Sequence, residues 1–337
     1  MRLKYLFILS LFMINTLFAN EEFLKICKNP NPQELKTLKA IRKSLLYMSP
    51  KRRREKFQTS DCELLDHYLL KTKYIGIFKG ELKDISLLRF YKNLKRLALN
   101  SNNISDISVL SKLTKLEDLD LHNNPIESIE PLKNLSKLTA LKIDSKKLTD
   151  LSPIENNQKL ETLSIYNAVN VKDFTPIGKL THLNDLVLVY SNIKNVCFLK
   201  NLVNLKSLDI GDNQISDISC LKNLKKLEMF GVSSNKIQDI SVVSNYKNLT
   251  TLRISMNPID DISAVKNLKK LYSITLISTN VTDLSPLVGL PEFYGLLVDK
   301  DNLVRCSPKT EQEIKAGKSC FEKDGTLKQW WKRTLGL

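Results

Sequence analysis

The sequence predicts an α/β solenoid: a horseshoe of short coils with a parallel β-sheet on its concave face, 3₁₀ or extended turns on its convex face, and a helical N-terminal cap. Two observations carry this prediction. A leucine recurs at intervals of 22 residues, with one interval of 23, and the residues after each leucine alternate between apolar and polar. Units of this length bury their apolar faces only against their neighbours, so they stack into one array.

Residues 1–19 have the features of a secretory signal peptide. Arg2 and Lys4 precede an apolar run, and the small Ala19 is a candidate cleavage point. An uncleaved membrane anchor is the alternative, which the shortness of the apolar run disfavours. We therefore expect an exported protein, secreted or periplasmic.

Residues 20–71 are predicted to form a helical N-terminal cap. A first helix is predicted over NPQELKTLKAIRKSLLYM, with an apolar face formed by Leu35, Leu38, Ile41 and Leu45. A second helix is predicted over SDCELLDHYLL, which begins with cap-type residues. The basic run at 51–54 between them is interpreted as an exposed loop, and a nuclear or nucleic-acid signal is the less favoured alternative.

Residues 72–298 are predicted to contain ten repeats and a partial one. The first begins at Thr72, the partial one at Phe293, and the others at Leu94, Leu116, Leu138, Leu160, Leu183, Leu205, Leu227, Leu249 and Leu271. A period of two predicts one short strand per repeat, with its leucines inward. An asparagine follows the strand, where a buried amide can bond backbone groups left unpaired by the turn. This structural asparagine ladder comprises Asn102, Asn124, Asn213, Asn235 and Asn257.

The second half of each repeat carries an apolar residue at every third position, which suits short 3₁₀ or extended turns. Several of these turns have a proline near their start, where its fixed φ favours a helical turn. The residue before the proline is a candidate cap at Ser152, Thr175 and Ser285.

These residues resemble the leucine-rich repeats of the 22-residue bacterial type found in internalins. The pattern LxxLxLxxNxIxDIxxLxxLxx is nearly complete at residues 205–226, LKSLDIGDNQISDISCLKNLKK. The repeat beginning at Leu160 carries one extra residue, which should bulge. The ladder asparagine is replaced at Gly80, Lys146, Ser191 and Thr279. The resemblance implies a horseshoe fold and a role in recognition, with a host surface as one natural target.

Residues 299–337 are predicted to form a C-terminal cap and a basic tail that holds Trp330 and Trp331. The six cysteines fall into three pairs along the chain: Cys27 with Cys62, Cys197 with Cys220, and Cys306 with Cys320. The middle pair is 23 residues apart, which places the two cysteines on adjacent coils. With an export signal and no CxxC motif, three disulfides are the favoured interpretation.

The formal net charge is +16, and removal of residues 1–19 takes away two positive charges. Much of the lysine lies in segments such as KNLKRL and KNLKKL, between apolar residues that point inward. The favoured interpretation is a solvated, lysine-rich flank.

We find no catalytic set in the sequence, so we expect a non-enzymatic protein without a cofactor. The histidines, His67, His122 and His182, lie in different regions, and there is no HExxH, GxSxG or glycine-rich phosphate loop. A calcium site at Asp118, Asp120 and Asp144 is conceivable, but no recognisable calcium loop is present, so no metal is expected.

The outward residues of the concave sheet differ between repeats and are the candidate binding surface. The early repeats contribute Asp118, Asp120, His122 and Asp144, with ion pairs predicted from Asp118 to Arg96 and from Asp120 to Lys142. The middle repeats contribute an exposed tyrosine and valine patch with an acidic rim, formed by Tyr166, Asp185, Val187, Val189, Tyr190, Asp209 and Asp212. Scattered apolar exposure without a partner is the alternative.

These observations favour recognition of a protein partner by the concave face of an exported monomer. The alternative is binding of an anionic surface, such as lipopolysaccharide, glycan or membrane, through the lysine-rich flank and the tryptophan-containing tail. Salt should weaken the second mode far more than the first. A third hypothesis, regulation of a cytosolic enzyme, requires that the N-terminus stays uncleaved inside the cell. Nucleic acid is not an expected partner.

Overall fold

The computed structural model describes residues 20–48, 62, 65–66, 71–298 and 302–305. They belong to two compact units, the first ending at Leu138 and the second beginning at Thr139. Several predicted features lie outside the described residues: the signal peptide, the basic run at 51–54, His67, Cys306, Cys320, Trp330 and Trp331. In the described ranges, no helix is long and apolar enough to cross a membrane.

The described part of the first unit begins with two capped helices, α1 (Glu21–Lys28) and α2 (Pro32–Met48). The Asn20 side chain caps α1 by accepting from the backbone N–H of Phe23 at 3.2 Å. At α2, the Asn31 side chain accepts from the backbone N–H of Glu34 at 2.9 Å, and the Glu34 carboxylate accepts from the N–H of Asn31 at 2.8 Å. This reciprocal pair is a capping box and fixes the start of α2.

Helix α2 covers the edge of the first strand, where the backbone N–H of Gly76 donates to the Ser44 hydroxyl at 2.9 Å. The apolar face predicted for this helix is buried at Leu38, Ile41 and Leu45. The prediction is wrong at Leu35, which is 37% exposed. Leu35 lies in the first turn of the helix, ahead of the part whose side chains pack on the repeats. Helix α1 was not predicted at all.

Three strands follow in the first unit: β1 (Tyr74–Gly76), β2 (Arg96–Ala98) and β3 (Asp118–Asp120). They pair in parallel with Ile75 opposite Leu97 and Leu97 opposite Leu119, so the register advances by one 22-residue repeat per strand. Between them lie the 3₁₀ helices Ser86–Phe90 and Ser108–Lys112, with Glu130–Leu132 after β3.

Among its described residues, the second unit contains nine strands: β4 (Ala140–Asp144), β5 (Thr162–Tyr166), β6 (Asp185–Val189), β7 (Ser207–Asp209), β8 (Met229–Gly231), β9 (Thr251–Arg253), β10 (Ser273–Thr275), β11 (Gly295–Val298) and β12 (Asn302–Arg305). Strands β4 to β11 pair in parallel in chain order, and β12 pairs antiparallel with β11. The 3₁₀ helices are Ser152–Asn156, Thr175–Lys179, Cys197–Leu199, Ser219–Leu221, Ser241–Asn245, Ser263–Val265 and Ser285–Leu287.

The leucine ladder forms the core of both units. All nine leucines that open the repeats from residue 94 to residue 271 are 0% exposed. Each apolar ladder residue therefore packs against its equivalents in neighbouring coils, which is the interaction that stabilises a solenoid. The predicted fold class, a solenoid with a parallel sheet and 3₁₀ turns, is confirmed.

The asparagine ladder satisfies the backbone where each strand ends. In Asn213, the side-chain Nδ2 donates to the carbonyls of Leu188 and Ile210 at 2.7 and 3.0 Å. Its Oδ1 accepts from the backbone N–H of Ser191 and Ile193 at 3.0 and 3.1 Å. One side chain thus joins two successive turns, and losing it would leave several buried polar groups unpaired.

Replacements in the ladder are compensated locally. The Ser191 hydroxyl donates to the Val189 carbonyl at 3.0 Å, and the Thr279 hydroxyl donates to the Leu276 carbonyl at 2.8 Å. In the repeat with the extra residue, the Asn170 amide donates to the carbonyl of Lys146 at 2.7 Å. The added length therefore lets a side chain bond the turn of the preceding coil, where lysine replaces asparagine.

The caps of the 3₁₀ turns differ from the prediction. The capping groups are the carboxylates of Asp150, Asp173 and Asp283, which accept from the backbone N–H two residues later at 2.8 Å in each case. Ser152, Thr175 and Ser285 are the donors in these bonds, so the prediction that they are caps was wrong. The residue directly before each turn is an apolar ladder residue without a polar side chain, so the aspartate one position earlier supplies the acceptor.

Two disulfides join described cysteines. Cys27 bonds to Cys62, and Cys197 bonds to Cys220 across adjacent coils. The first ties α1 to a residue of the segment between α2 and the repeats. The second lies in the 3₁₀ turns of the second unit.

Candidate binding surface on the sheet

The candidate surface is the solvent-exposed face of the sheet, formed by every second residue of each strand. The predicted binding residues divide between the two units. The first unit holds Asp118, Asp120 and His122, and the second holds Asp144, Tyr166, Asp185, Val187, Val189, Tyr190, Asp209 and Asp212.

In the first unit the charged residues of the sheet bind one another. Arg96 Nε lies 3.3 Å from a carboxylate oxygen of Asp118, which is the ion pair that the sequence predicted. The Asp120 carboxylate lies 2.8 Å from His122 Nδ1 and accepts from the backbone N–H of His122 at 3.1 Å. This part of the sheet therefore offers few polar groups that still need a partner. The pair between Asp120 and Lys142 involves both units and stays a prediction.

The arrangement of Asp120 and His122 does not extend to a catalytic set. In the described part of the chain, no serine, cysteine or lysine side chain donates to the second ring nitrogen of His122. Nor does any group of three or more His, Cys, Asp or Glu within the described ranges have the positions needed to hold a metal ion.

In the second unit two predicted aspartates have partners within the chain. The Asp144 carboxylate accepts from the Asn167 amide at 2.9 Å. The Asp209 carboxylate accepts from the backbone N–H of Gly211 at 3.1 Å and lies 3.8 Å from a guanidinium nitrogen of Arg253. A Cβ added at Gly231 would lie 2.9 Å from the Asp209 carboxylate, so the glycine leaves the space that this side chain occupies.

Strand β6 carries the apolar part of the surface. Leu186 and Leu188 are 0% exposed and point into the core, so Val187 and Val189 lie on the opposite face. Val187 is half-buried, but Val189 is only 8% exposed. The prediction of two exposed valines is wrong at Val189. It lies opposite Tyr166 of β5 in the sheet register, where the neighbouring strand leaves it little access to solvent.

Tyr190 directly follows β6 and has an unusual backbone conformation. Its φ is +55°, in the left-handed region, and the residue is 53% exposed. The equivalent residue of the later repeats has the same conformation, and we call this set the left-handed row: Tyr190, Asp212, Ser234, Met256 and Ser278. Aspartate and serine tolerate this conformation because their short side chains bond locally, whereas a bulky ring does so at a cost.

Two aspartates on this face, one next to Tyr190 and one at the start of β6, have no partner among the described residues. Asp212 follows Tyr190 in the left-handed row, and Asp185 begins β6 on the same face as Val187. Their carboxylates make no hydrogen bond or ion pair with any residue that the structure describes. Both side chains are partly exposed, so their charges are available to a ligand.

The sequence did not single out Met256 or the left-handed row. Met256 is 54% exposed at the position equivalent to Tyr190, three coils further along. The signal was present in the sequence, because every member of the row directly precedes the ladder position. The left-handed conformation of the row could not be deduced from its residue types, because serine, aspartate, methionine and tyrosine share no turn propensity.

Comparisons with known proteins address the repeat pattern. A family model for leucine-rich repeats, in two copies, matches residues 92–134 and 203–245. A comparison with curated proteins finds no match. The solved structure of internalin C2 from Listeria monocytogenes is 26% identical, with a TM-score of 0.50, over 73% of this chain and 93% of that one.

Two further solved structures share the fold. The functional domain of InlJ from Listeria monocytogenes, which includes a cysteine ladder, is 24% identical with a TM-score of 0.54, and the match covers 68% of this chain and 54% of that one. A TDR receptor is 21% identical with a TM-score of 0.52, over 68% of this chain and 47% of that one.

The chain contains leucine-rich repeats, and the family model together with the similar solved structures supports an internalin-like leucine-rich repeat protein. Leucine-rich repeat proteins generally mediate protein–protein interaction, and internalin-like members are typically non-enzymatic binding modules.

Proposed function

We propose that this chain binds a protein partner through the exposed sheet face of its second unit. The centre of the site is the tyrosine patch, which we define as Asp185, Val187, Tyr190 and Asp212. We expect this face to be the concave side of the repeats. Tyr166, Val189 and Asp209 border the patch, and Asp144 is proposed as a peripheral contact. Asp118, Asp120 and His122 of the first unit are proposed separately as partner contacts.

The observation that carries the proposal is the conformation and exposure of Tyr190. A bulky residue in the left-handed region costs about 1 kcal/mol or more relative to glycine or asparagine. The ring of Tyr190 makes no hydrogen bond or ring contact within the described part of the chain that would offset this cost. Exposed tyrosines next to aliphatic side chains are typical anchors of protein interfaces.

The charges around Tyr190 indicate the chemistry of the partner. Asp185 and Asp212 lack partners in the described structure, so burying them in an interface requires positive groups on the other side. The partner should therefore present an aliphatic or aromatic side chain next to lysine or arginine. Charge complementarity of this kind mainly sets specificity and association rate, while the tyrosine and valine supply affinity.

We also propose that the mature chain is exported and monomeric, with the domain boundaries that the sequence predicts. Disulfides persist in oxidising compartments and are rare in the cytosol, and Cys27–Cys62 and Cys197–Cys220 are both bonded. The signal peptide at residues 1–19 and the cap at residues 299–337 complete this proposal. Fractionation of cells that express the full chain, with mass spectrometry of its N-terminus, tests export: cytosolic protein that begins at Met1 would contradict it.

The experiment that tests the binding site is a pull-down with the mature chain and matched variants. We expect the parent to retain a partner at low and at physiological salt, and Val187→Glu combined with Tyr190→Ala to lose it. Met256→Ala is the matched control, because Met256 has the same backbone conformation and 54% exposure against 53% for Tyr190.

The outcomes separate the hypotheses. A partner lost by the patch variant and kept by the Met256 variant supports the tyrosine patch. Retention of the partner by all three proteins would overturn the proposal, because binding would then not require Val187 or Tyr190. Retention of the partner only at low salt would also overturn it, because that result indicates binding by charge and not by the tyrosine patch.

A further inference from the structure

The second unit has a strip of lysines along the edge where the chain returns from the 3₁₀ turns to the strands. Lys225, Lys247 and Lys269 occupy one repeat position on three consecutive coils. Lys226 and Lys270 occupy the next position, two coils apart. All five are exposed, and we call this set the lysine edge.

Asparagines hold two of these lysines in place without cancelling their charge. Lys226 Nζ donates to Asn204 Oδ1 at 2.7 Å, and Lys270 Nζ donates to Asn248 Oδ1 at 2.8 Å. The Asn204 amide nitrogen in turn donates to the Thr181 carbonyl at 3.0 Å, which orients its oxygen towards the lysine. Repeat position 226 therefore alternates asparagine and lysine along the coils, and each asparagine braces the lysine of the next coil.

Other flank lysines are neutralised instead. Lys95 pairs with Glu117, Lys133 with Glu130, and Lys179 with Glu155. By contrast, no carboxylate that the structure describes lies within 4.0 Å of the ammonium groups of the lysine edge. Stacked coils are about 5 Å apart, so like charges at this spacing repel one another unless an anion lies across them.

An aromatic platform lies next to the lysine edge. Tyr272 is 47% exposed and stacks on Tyr294, with ring centroids 5.2 Å apart and an interplanar angle of 17°. Tyr272 is two residues after Lys270 and begins the same passage into strand β10. An exposed, stacked ring presents a flat apolar surface, against which the ring of a sugar can pack.

We propose that the lysine edge and Tyr272 form a second binding site, distinct from the tyrosine patch, for a linear polysaccharide that carries carboxylates. The lysines follow the stacking direction of the coils in a strip two residues wide, which matches a linear polymer with repeated charges. A membrane surface would contact a broad area and would use apolar side chains that insert among the lipids. The stacked tyrosine instead suits a sugar ring between charged groups.

The test uses fluorescein-labelled polygalacturonate as the probe and the mature chain, with anisotropy as the readout. The parent should bind, and the dissociation constant should rise on the order of 100-fold between 50 and 200 mM NaCl if about four lysines contact the polymer. Lys225→Gln/Lys247→Gln/Lys269→Gln should weaken binding at least about tenfold and make it less dependent on salt. Neutral dextran should not bind.

Three variants test whether the polysaccharide binds specifically at the lysine edge and Tyr272. Lys95→Gln/Lys133→Gln/Lys179→Gln also removes three positive charges, but from lysines that are paired with carboxylates. This variant should bind within about twofold of the parent. Tyr272→Ala should weaken binding with an unchanged salt dependence, because it removes an uncharged contact. Tyr190→Ala should bind polygalacturonate as the parent does. Failure of the polysaccharide proposal can therefore be distinguished from failure of the protein-binding proposal at the tyrosine patch.

Equal weakening by both triple variants would overturn the proposal, since net charge alone would then explain binding. Binding to vesicles of phosphatidylcholine and phosphatidylglycerol without binding to polygalacturonate would also overturn it, in favour of a membrane. An affinity that does not change with salt contradicts the role of the lysines.

Discussion

The sheet faces of the two units differ in how their polar side chains are paired. In the first unit, Arg96 with Asp118 and Asp120 with His122 form pairs within the chain. At and after β6 of the second unit, Tyr190, Asp185 and Asp212 have side chains without partners in the described structure. Because the fold fixes only the inward positions, the outward ones are free to satisfy each other or to serve a ligand. Outward side chains that lack a partner within the described chain are therefore the ones that indicate function.

The largest expected effect comes from removing the ladder residue beneath Tyr190. Asn213→Ala should lower the free energy of unfolding by about 3 kcal/mol, because it unpairs the backbone N–H groups of Ser191 and Ile193 and several carbonyls. The same variant should lose the protein partner at temperatures where it is folded. Urea denaturation and pull-down measure the two effects.

Asn102→Ala in the first unit is the matched control for Asn213. Asn102 Oδ1 accepts from Gly80 and Leu82 at 3.0 and 3.1 Å, so a similar loss of stability is expected. Partner binding should survive. If both variants lost the partner equally, the two regions would not differ in function.

The next effect concerns strain at the tyrosine patch. Tyr190→Asn should raise the free energy of unfolding by up to about 1 kcal/mol, because asparagine adopts the left-handed conformation more easily. It should nevertheless weaken partner binding. A variant that gains stability and loses binding is the signature of a residue kept for function, and urea denaturation beside the pull-down reads both. A loss of stability in Tyr190→Asn would show that the ring serves the fold.

A smaller effect is expected on the sheet face of the first unit, where the charged side chains are paired. Arg96→Gln removes an exposed ion pair with Asp118, so the free energy of unfolding should change by less than about 1 kcal/mol. Partner binding should not change. Thermal denaturation and the same pull-down test this, and a tenfold loss of binding would move the site towards the first unit.

The smallest effect concerns acid stability and should be common to the repeats. Hydrogen bonds from the backbone N–H and hydroxyl of Ser219 hold the pKa of Asp217 below its usual value of 3.8, and those from Ser263 do the same for Asp261. A lowered pKa in the folded state stabilises the fold while the carboxylate is charged. This contribution is complete above about pH 3.8 and is lost as the pH falls through the folded-state pKa.

The variant Asp217→Asn tests the acid effect. Its melting temperature should fall less than that of the parent between pH 5 and pH 3, because the amide does not titrate. Asp260→Asn, at an exposed neighbour of the capping residue Asp261, is the control and should follow the parent. Identical pH profiles for all three proteins would contradict the capping role.

The sequence predicted the inward half of the molecule well. The leucine period, the parallel strands and the 3₁₀ turns follow from spacing alone, because burial repeats with the coil. Helix α1 was missed because eight residues carry little periodicity. The cap of the 3₁₀ turns was assigned to serine and threonine because a sequence does not show which of two nearby polar residues, separated by one apolar residue, donates and which accepts.

The outward half was predicted only in part. Alternation placed Val187 and Val189 on the exposed face, but the exposure of each depends on the side chains of neighbouring strands, which spacing does not describe. The pairing of Asp144 with Asn167 joins side chains of two neighbouring coils, which the period of two within one strand does not describe. The left-handed conformation of Tyr190 is imposed by the turn that the coil requires rather than by the preference of tyrosine.

The decisive measurement is hydrogen exchange of the chain with and without its captured partner. We expect binding to slow amide exchange in the turns at residues 189–193 and 211–214, which contain Tyr190 and Asp212, and to leave residues 96–104 unchanged. Slower exchange confined to the lysine edge at residues 222–228 and 266–272, or to the first unit, would contradict this expectation.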